Sequence, residues 1–348
     1  MWIDTPIFEQ DMDQIIYSDF IPWENLNGKT IFVTGATGLI GYYLISSLLY
    51  KSLIDHLQIK ILALVRNVAK AEQEFSDQLK GVPQGIITFI SGSLENLPEI
   101  TCPVHYIVHA GAPTASQFFM DCPVETLESI GVASMNILRM AREKHCQGMV
   151  YLSSMEVYGE HTKDDKISED DAQVLNSQNL RNCYPIGKCF VENACRAYFS
   201  EYDVPVNVLR LSQTIGLSQE HDTRIISEIA KCIRLKQNII LKTKGESKRT
   251  YIYATDVITA ILLTLLRSPY GQIYNVANAE SYCSIWQLAN IAAASYGEGN
   301  VHVQIQESKA PQFPATNCLN LSPHRLEKLG WKAEVTLKQM LEKLLALK

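Results

Sequence analysis

Tyr184 and Lys188 stand four residues apart in YPIGK, so on a helix they share one face. There an ammonium can pull a phenol down from its usual pKa of about 10, and it can also donate to the ribose of a cofactor. Such a pair is weak evidence alone, because a chain this rich in Tyr and Lys should contain about one by composition. Its weight comes from SSMEVYG, which overlaps the end of the apolar run GMVYLS at 148–153. A hydroxyl at the carboxyl end of a parallel strand, Ser153 or Ser154, can face a nicotinamide. A third motif supplies the place for that cofactor. In TGATGLIG the glycines Gly35, Gly38 and Gly41 are spaced GxxGxxG between an apolar strand and an apolar helix. The first permits a tight turn, the second lets backbone approach a pyrophosphate, and the third lets the helix pack closely on the strand.

These motifs need a scaffold. GKTIFVTGATGLIGYYLISSLLY reads as strand, glycine turn and helix, and strand-like runs recur at 59–65, 85–90, 105–110, 148–153 and 204–212. Helical patterns fill several gaps, notably at 124–145 and 186–202. Parallel strands need long crossovers, so the alternation predicts an α/β fold: a doubly wound parallel Rossmann sheet. Residues 1–27 are polar and aromatic without a clear period and read as an N-terminal extension. Residues 28–215 read as the dinucleotide-binding domain with the catalytic residues, and 216–348 mainly as a smaller mixed lobe for the substrate. The charged stretch at 161–182 reads as a surface loop, or as a flap over the substrate because Tyr184 follows it.

Composition narrows the partners. With 47% apolar residues the chain can fill a substantial core, and 31 basic against 37 acidic residues give no broad attraction for nucleic acid or anionic lipid. Apolar stretches such as AILLTLL at 260–266 fall short of the roughly 20 residues that span a bilayer, so no membrane partner is expected. Nine cysteines, an odd count without a CxxC pair, and a start lacking a basic then apolar leader point to a reducing cytoplasm. Cys183, Cys189 and Cys195 share no helix face and read as small apolar residues. No metal is expected. His109 and Glu95 have no neighbour at ligand spacing and read as a satisfied strand histidine and a surface carboxylate.

Taken together, the GxxGxxG turn, the serine in a segment ending VYG and YxxxK resemble the extended short-chain dehydrogenase/reductase family. The resemblance runs from about residue 28 to the end and includes HAGAPTAS (109–116), RLSQTIG (210–216), GESKRTYIYATDV (245–257) and YNVAN (274–278). It implies that Tyr184 is the acid/base at a sugar carbon, that Lys188 tunes it, and that Ser154 hydrogen-bonds the reacting oxygen. It implies cofactor contacts from Gly35, Thr37, Gly38, Leu39, Ile40, Gly41, Ala110, Gly111 and Ala112, besides Tyr184 and Lys188. Pro113, Thr114, Gln213 and Arg249 then face a nucleotide-diphosphate sugar, Arg249 at the diphosphate. For Arg249 a surface ion pair is the plain alternative. The family also implies a homodimer through helices 124–145 and 186–202, although a monomer core would give the same periodicity.

Several positions depart from the family pattern. Gln213 replaces a common Asn, and Ser93 replaces a common adenine-contacting Asp. Arg66, where NAD-binding relatives carry an Asp, could hold a 2′-phosphate, so NAD is expected with NADP as the alternative. In relatives that dehydrate a sugar, an Asp and a Glu follow the serine, whereas here Met155 and Glu156 do. Relatives that decarboxylate a nucleotide-linked glucuronic acid keep the Glu without the Asp, and RNCYPIGK resembles that branch. The resemblance therefore implies a UDP-glucuronate decarboxylase-like enzyme first, with Glu156 in the site. A 4,6-dehydratase or 4-epimerase comes second. An NADPH-dependent carbonyl reductase and a catalytically silent cofactor-binding protein are the alternatives of other classes. A turn-capping carboxylate is the plain alternative for Glu156.

Overall fold

The computed structural model describes residues 5–217, 224–307 and 316–346. After a first helix α1 (Pro6–Ile16), the chain alternates as β1 (Thr30–Thr34), α2 (Leu39–Asp55), β2 (Lys60–Val65), α3 (Val68–Glu74) and β3 (Ile87–Ser91). Then come β4 (Tyr106–His109), α4 (Ser116–Asp121), α5 (Pro123–Glu143), β5 (Gly148–Ser154), α6 (Cys183–Tyr202) and β6 (Val206–Leu211). The remainder runs through β7 (Gln213–Ile215), α7 (Ile225–Arg234), β8 (Ile239–Leu241), β9 (Lys248–Tyr253), α8 (Ala254–Leu266), β10 (Ile273–Val276) and β11 (Asn278–Ser284). It ends with α9 (Ile285–Tyr296), β12 (Val303–Ile305), β13 (Cys318–Leu319), α10 (His324–Glu327) and α11 (Leu337–Leu345).

Seven strands form one parallel sheet in the order β10-β6-β5-β4-β1-β2-β3. Strands β1, β4 and β6 are buried along their whole length, as befits a sheet covered on both faces. The order reverses beside β1, whose neighbours are β2 and β4. In open α/β sheets a ligand crevice lies outside the carboxyl ends of the strands at such a switch. The glycine turn follows β1 there, and HAGAPTAS straddles the end of β4.

A smaller sheet, β11-β9-β13 with β7 on β9, and the pair β12-β8 make up the second lobe. The chain does not remain in it. Helix α8 packs on β5 and β6, and β10 joins the edge of the first sheet beside β6. No helix among the described residues is long and apolar enough to cross a membrane, and all nine cysteines are free thiols.

The N-terminal stretch holds a helix that its sequence pattern hides. Thr5 caps α1 by accepting from the Phe8 amide at 3.2 Å, and Phe8, Met12, Ile15 and Ile16 line its buried face at helical spacing. A carboxylate sits within that face and breaks the apolar pattern. Asp11 is fully buried and accepts from the Tyr43 and Tyr253 hydroxyls, each at 2.8 Å, and from Lys343 Nζ at 2.7 Å. One residue thus ties α1 to α2, β9 and α11, and a buried carboxylate with three donors is a tolerable core group.

The charged stretch at 161–182 is less of a free loop than its composition suggests. Ile167 is buried, donating its amide to Asn320 at 2.8 Å and accepting from the Ser322 amide at 2.8 Å. Glu169 accepts from the Asn275 amide at 2.8 Å, and Asp164 from Lys248 Nζ and the Tyr282 hydroxyl, both at 2.7 Å. Asp164 and Glu169 thus meet partners distant in the chain, which composition could not reveal.

Candidate active site

The glycine turn is shaped by backbone contact. Gly35 has φ +67°, and a Cβ there would lie 2.7 Å from the Ala110 carbonyl oxygen. A Cβ on Gly41 would fall 2.2 Å from the Gly35 oxygen, so α2 starts pressed against the turn that precedes it. Gly38 is the exposed N-cap of α2 and supplies no side-chain cap, so the first amides of the helix are left for a ligand. Thr37, Leu39 and Ile40 are half-buried around this end. Across the crevice the Gly111 amide donates to Thr34 Oγ1 at 3.0 Å, which joins the ends of β1 and β4. Ala110, Gly111, Ala112 and Pro113 are half-buried there and Thr114 is exposed. These features suit a dinucleotide pyrophosphate. Arg66 is exposed at the carboxyl end of β2.

Strand β5 ends at Ser154, whose Oγ accepts from the Glu156 amide at 3.2 Å and caps a short 3-10 turn, Met155–Tyr158. Tyr184 and Lys188 follow on the first turns of α6, both buried. Burial pushes the Tyr184 phenol up, Glu156 adds to this, and Ser154 and Arg181 oppose it. Lys188 Nζ donates to the Leu152 carbonyl at 2.8 Å and lies 4.7 Å from the Tyr151 ring and 5.8 Å from the Tyr184 ring. Burial brings its ammonium down to about 7, against the pull of Glu192. The phenol and ammonium thus sit together in a dry place at the end of the strand that carries Ser154. Such an arrangement can move a proton to and from a substrate oxygen beside a hydride acceptor.

Glu156 does not cap the turn with its carboxylate. It forms a two-pronged pair with Arg181, Nη1 to Oε2 at 2.6 Å and Nη2 to Oε1 at 3.2 Å. Arg181 Nη2 also donates to Ser116 Oγ at 3.0 Å. Met155, by contrast, is buried with Val157, Tyr158, Ile167, Leu319 and Leu321. Beneath the site a second pair is closed to solvent: Arg210 Nη2 holds Glu192 Oε2 at 2.7 Å, and Ser153 Oγ donates to Glu192 Oε1 at 2.5 Å.

Gln213 and Arg249 meet in the second lobe, where Arg249 Nη1 donates to Gln213 Oε1 at 3.3 Å. The partner is a neutral amide, and among the described residues no carboxylate lies within ion-pair distance of Arg249. Its Nε is buried without an acceptor, as suits a fork awaiting an anion. His109 is saturated by hydroxyls, Nδ1 with Thr34 Oγ1 at 2.7 Å and Nε2 with Ser134 Oγ at 2.9 Å, and burial, aided by Lys188, lowers it to about 3. Among the described residues no cluster of His, Cys, Asp or Glu could hold a metal ion. Three residues of the site escaped sequence reasoning: Arg181, Ser116 and Phe119. Only Arg181 left a signal, as a cation three residues before Tyr184 at the start of a helix.

Known proteins share this architecture. A family model described as the NAD dependent epimerase/dehydratase family matches residues 31–277. UDP-glucuronic acid decarboxylase 1 of Xenopus tropicalis is 24% identical over 318 residues, covering 90% of this chain and 71% of that protein. dTDP-D-glucose 4,6-dehydratase of Bos taurus is 25% identical over 212 residues, covering 60% and 57%. The structure of UDP-glucuronic acid 4-epimerase from Bacillus cereus with UDP-glucuronic acid and NAD matches with a TM-score of 0.74 at 17% identity, over 91% of this chain and 98% of that one.

Proposed function

The chain belongs to the NAD dependent epimerase/dehydratase family, with NAD as its cofactor, and on that footing we propose that it decarboxylates a nucleotide-diphosphate uronic acid, UDP-glucuronic acid first. One observation carries the choice of reaction. The residue beside Glu156 is Met155, an apolar side chain buried in its own cluster, so among the described residues Glu156 is the carboxylate that acts on Tyr184. Elimination of a sugar hydroxyl needs a donor for the departing oxygen, and Met155 has no proton to give. Loss of carbon dioxide needs no such donor. The likeness to the Xenopus tropicalis decarboxylase supports the same choice.

NAD, when bound, accepts a hydride and later returns it. Tyr184 takes the proton from the oxygen on the fourth sugar carbon as that carbon is oxidised, and Ser154 steadies the same oxygen. The ketone then lies β to the sugar's carboxylate. The electrons of the carbon–carboxylate bond move toward the ketone, carbon dioxide leaves, and the fifth carbon takes up a proton. On reduction Tyr184 gives its proton back to the oxygen, so each turnover releases one carbon dioxide and consumes one proton. The amides at the start of α2 and the Lys188 ammonium hold the cofactor, and Arg249 with Gln213 hold the substrate's diphosphate.

We also read the protein as a homodimer. Val124, Leu127 and Val132 on α5 and Phe190 on α6 are exposed apolar residues on two helices packed so closely that a Cβ on Gly187 would lie 3.2 Å from Ile130. The test of the function supplies UDP-glucuronic acid with NAD and follows product mass. Loss of one carbon dioxide supports decarboxylation, whereas turnover of a neutral nucleotide hexose without carbon dioxide release overturns it.

A further inference from the structure

We infer that Arg181 is the specificity-determining residue of the sugar site: the free edge of its guanidinium recognises a carboxylate on the carbon next to the one Tyr184 works on. The inference rests on the reading of Tyr184 as the acid/base for a sugar hydroxyl, and it adds the group that selects an anionic sugar over a neutral one.

Arg181 is placed by the backbone. It lies in the 3-10 turn Leu180–Asn182, where the Asn179 side chain accepts from its amide at 3.1 Å, and Tyr184 follows three residues later at the start of α6. The guanidinium stands 5.4 Å from the ring of Phe119, and Phe119 in turn stacks on the ring of Tyr184 at 4.4 Å. The cation is therefore a neighbour of the phenol, and the two interact electrostatically. Its side chain keeps 16% exposure and that of Glu156 29%, so the pair is not sealed in the core.

The donors of Arg181 are unevenly used. Glu156 takes one bond from each terminal nitrogen, which closes the end of the fork. The side edge, made of Nε and one terminal nitrogen, has only the hydroxyl of Ser116, bound by Nη2. Nε is buried and has no acceptor. A buried donor without an acceptor is unfavourable, and it rewards a ligand that brings one. Ser116 is exposed at the first position of α4 and can yield its place. Two oxygens in one plane match that edge, which is the geometry of a carboxylate and not of a primary alcohol.

The sugar supplies the matching group. With its fourth oxygen at Tyr184, the adjoining ring positions carry a hydroxyl on one side and the exocyclic carbon on the other. A uronic acid has a carboxylate on that carbon and a neutral hexose has a hydroxymethyl group. On the proposed reading Arg249, with its unpaired Nε, takes the diphosphate, which leaves Arg181 for the sugar. Glu156 holds the guanidinium still and balances its charge, and the incoming carboxylate binds the adjacent edge, Nε and Nη2, in place of Ser116.

The test measures dissociation constants of UDP-glucuronic acid and UDP-glucose for the full chain loaded with NAD, in the parent and in Arg181→Met and Arg181→Lys. The parent is expected to prefer the uronic acid by about tenfold or more. Arg181→Met should lose that preference, and Arg181→Lys should retain part of it, because it keeps the charge without the planar edge. Equal binding of both sugars by the parent overturns the inference, as does a full preference in Arg181→Met. If the Met variant does not fold, an undiminished preference in Arg181→Lys overturns it equally. The reaction is scored separately. Preferential, Arg181-dependent binding of the uronic acid without carbon dioxide release removes the decarboxylase reading and leaves this one standing.

Discussion

The ring of Phe119 lies flat against the ring of Tyr184, with centroids 4.4 Å apart and planes within 11° of each other. Phe119 is buried on α4, so the phenol is located by a side chain from outside its own helix. Stacking fixes the ring plane and helps to keep water from the hydroxyl, leaving the oxygen as the one variable part of the residue.

Tyr184→Phe removes that oxygen and leaves the stack. Turnover is expected to fall by roughly 10² to 10⁴, the range for loss of a general acid/base. Cofactor binding should be kept, because the pyrophosphate is held at Gly35–Gly41. Steady-state rates and NAD titration check this, and a variant with normal turnover would place the acid/base elsewhere.

Arg249→Ala tests the second lobe. The fork holds its anion before and during the reaction alike, so its loss should raise the Michaelis constant by roughly ten- to a hundredfold while the maximal rate changes less. The orphaned Nε and the neutral partner Gln213 favour this result over a structural ion pair. A collapse of the rate alone would instead place Arg249 among the reacting groups.

The spacing of residues close in sequence made much of the fold legible. The strand-turn-helix around TGATGLIG lies where period and glycine spacing put it, the run at 148–153 extends to Ser154, and the helix expected over 186–202 starts earlier, at Cys183, and so takes in Tyr184. What stayed hidden depends on partners far along the chain. Asp11 broke the apolar period of α1 because it meets Tyr43, Tyr253 and Lys343. Arg181 read as one more loop charge because its partners, Glu156 and Ser116, are brought to it only by the fold. Local pattern records which face is buried, and it does not record which distant polar group will be there.

Arg66 tests how the cofactor is read. It is exposed at the carboxyl end of β2 beside Asn67, whose side chain caps α3 by accepting from the Lys70 amide at 2.9 Å. A guanidinium there offers charge to a 2′-phosphate and little to a free ribose hydroxyl pair. Arg66→Ala should therefore weaken NADP by up to about tenfold and NAD by less, since an exposed ionic contact is worth on the order of 1 kcal/mol. Fluorescence titration with both cofactors decides it, and equal losses would move Arg66 away from the ribose.

Asp256 provides a test of stability that is independent of catalysis. It is buried on α8, where its carboxylate accepts from the Glu334 amide at 3.0 Å and the Val335 amide at 3.2 Å. Burial raises its pKa to about 7 despite those two donors. An unfolded Asp releases its proton near pH 4, so between about pH 4 and 7 the folded protein binds the proton more strongly than the unfolded chain does. Linkage then gives the sign: the contribution of Asp256 is complete below pH 4, is lost as the pH rises through 7, and is constant above. Asp256→Asn cannot titrate and loses one amide acceptor, so it should be less stable than the parent at low pH. The gap should narrow by something on the order of a few kcal/mol between pH 4 and 8. Urea denaturation of both proteins across that interval measures the gap directly, and a gap that does not change with pH would mean that Asp256 stays ionised in the fold, held by the two amides.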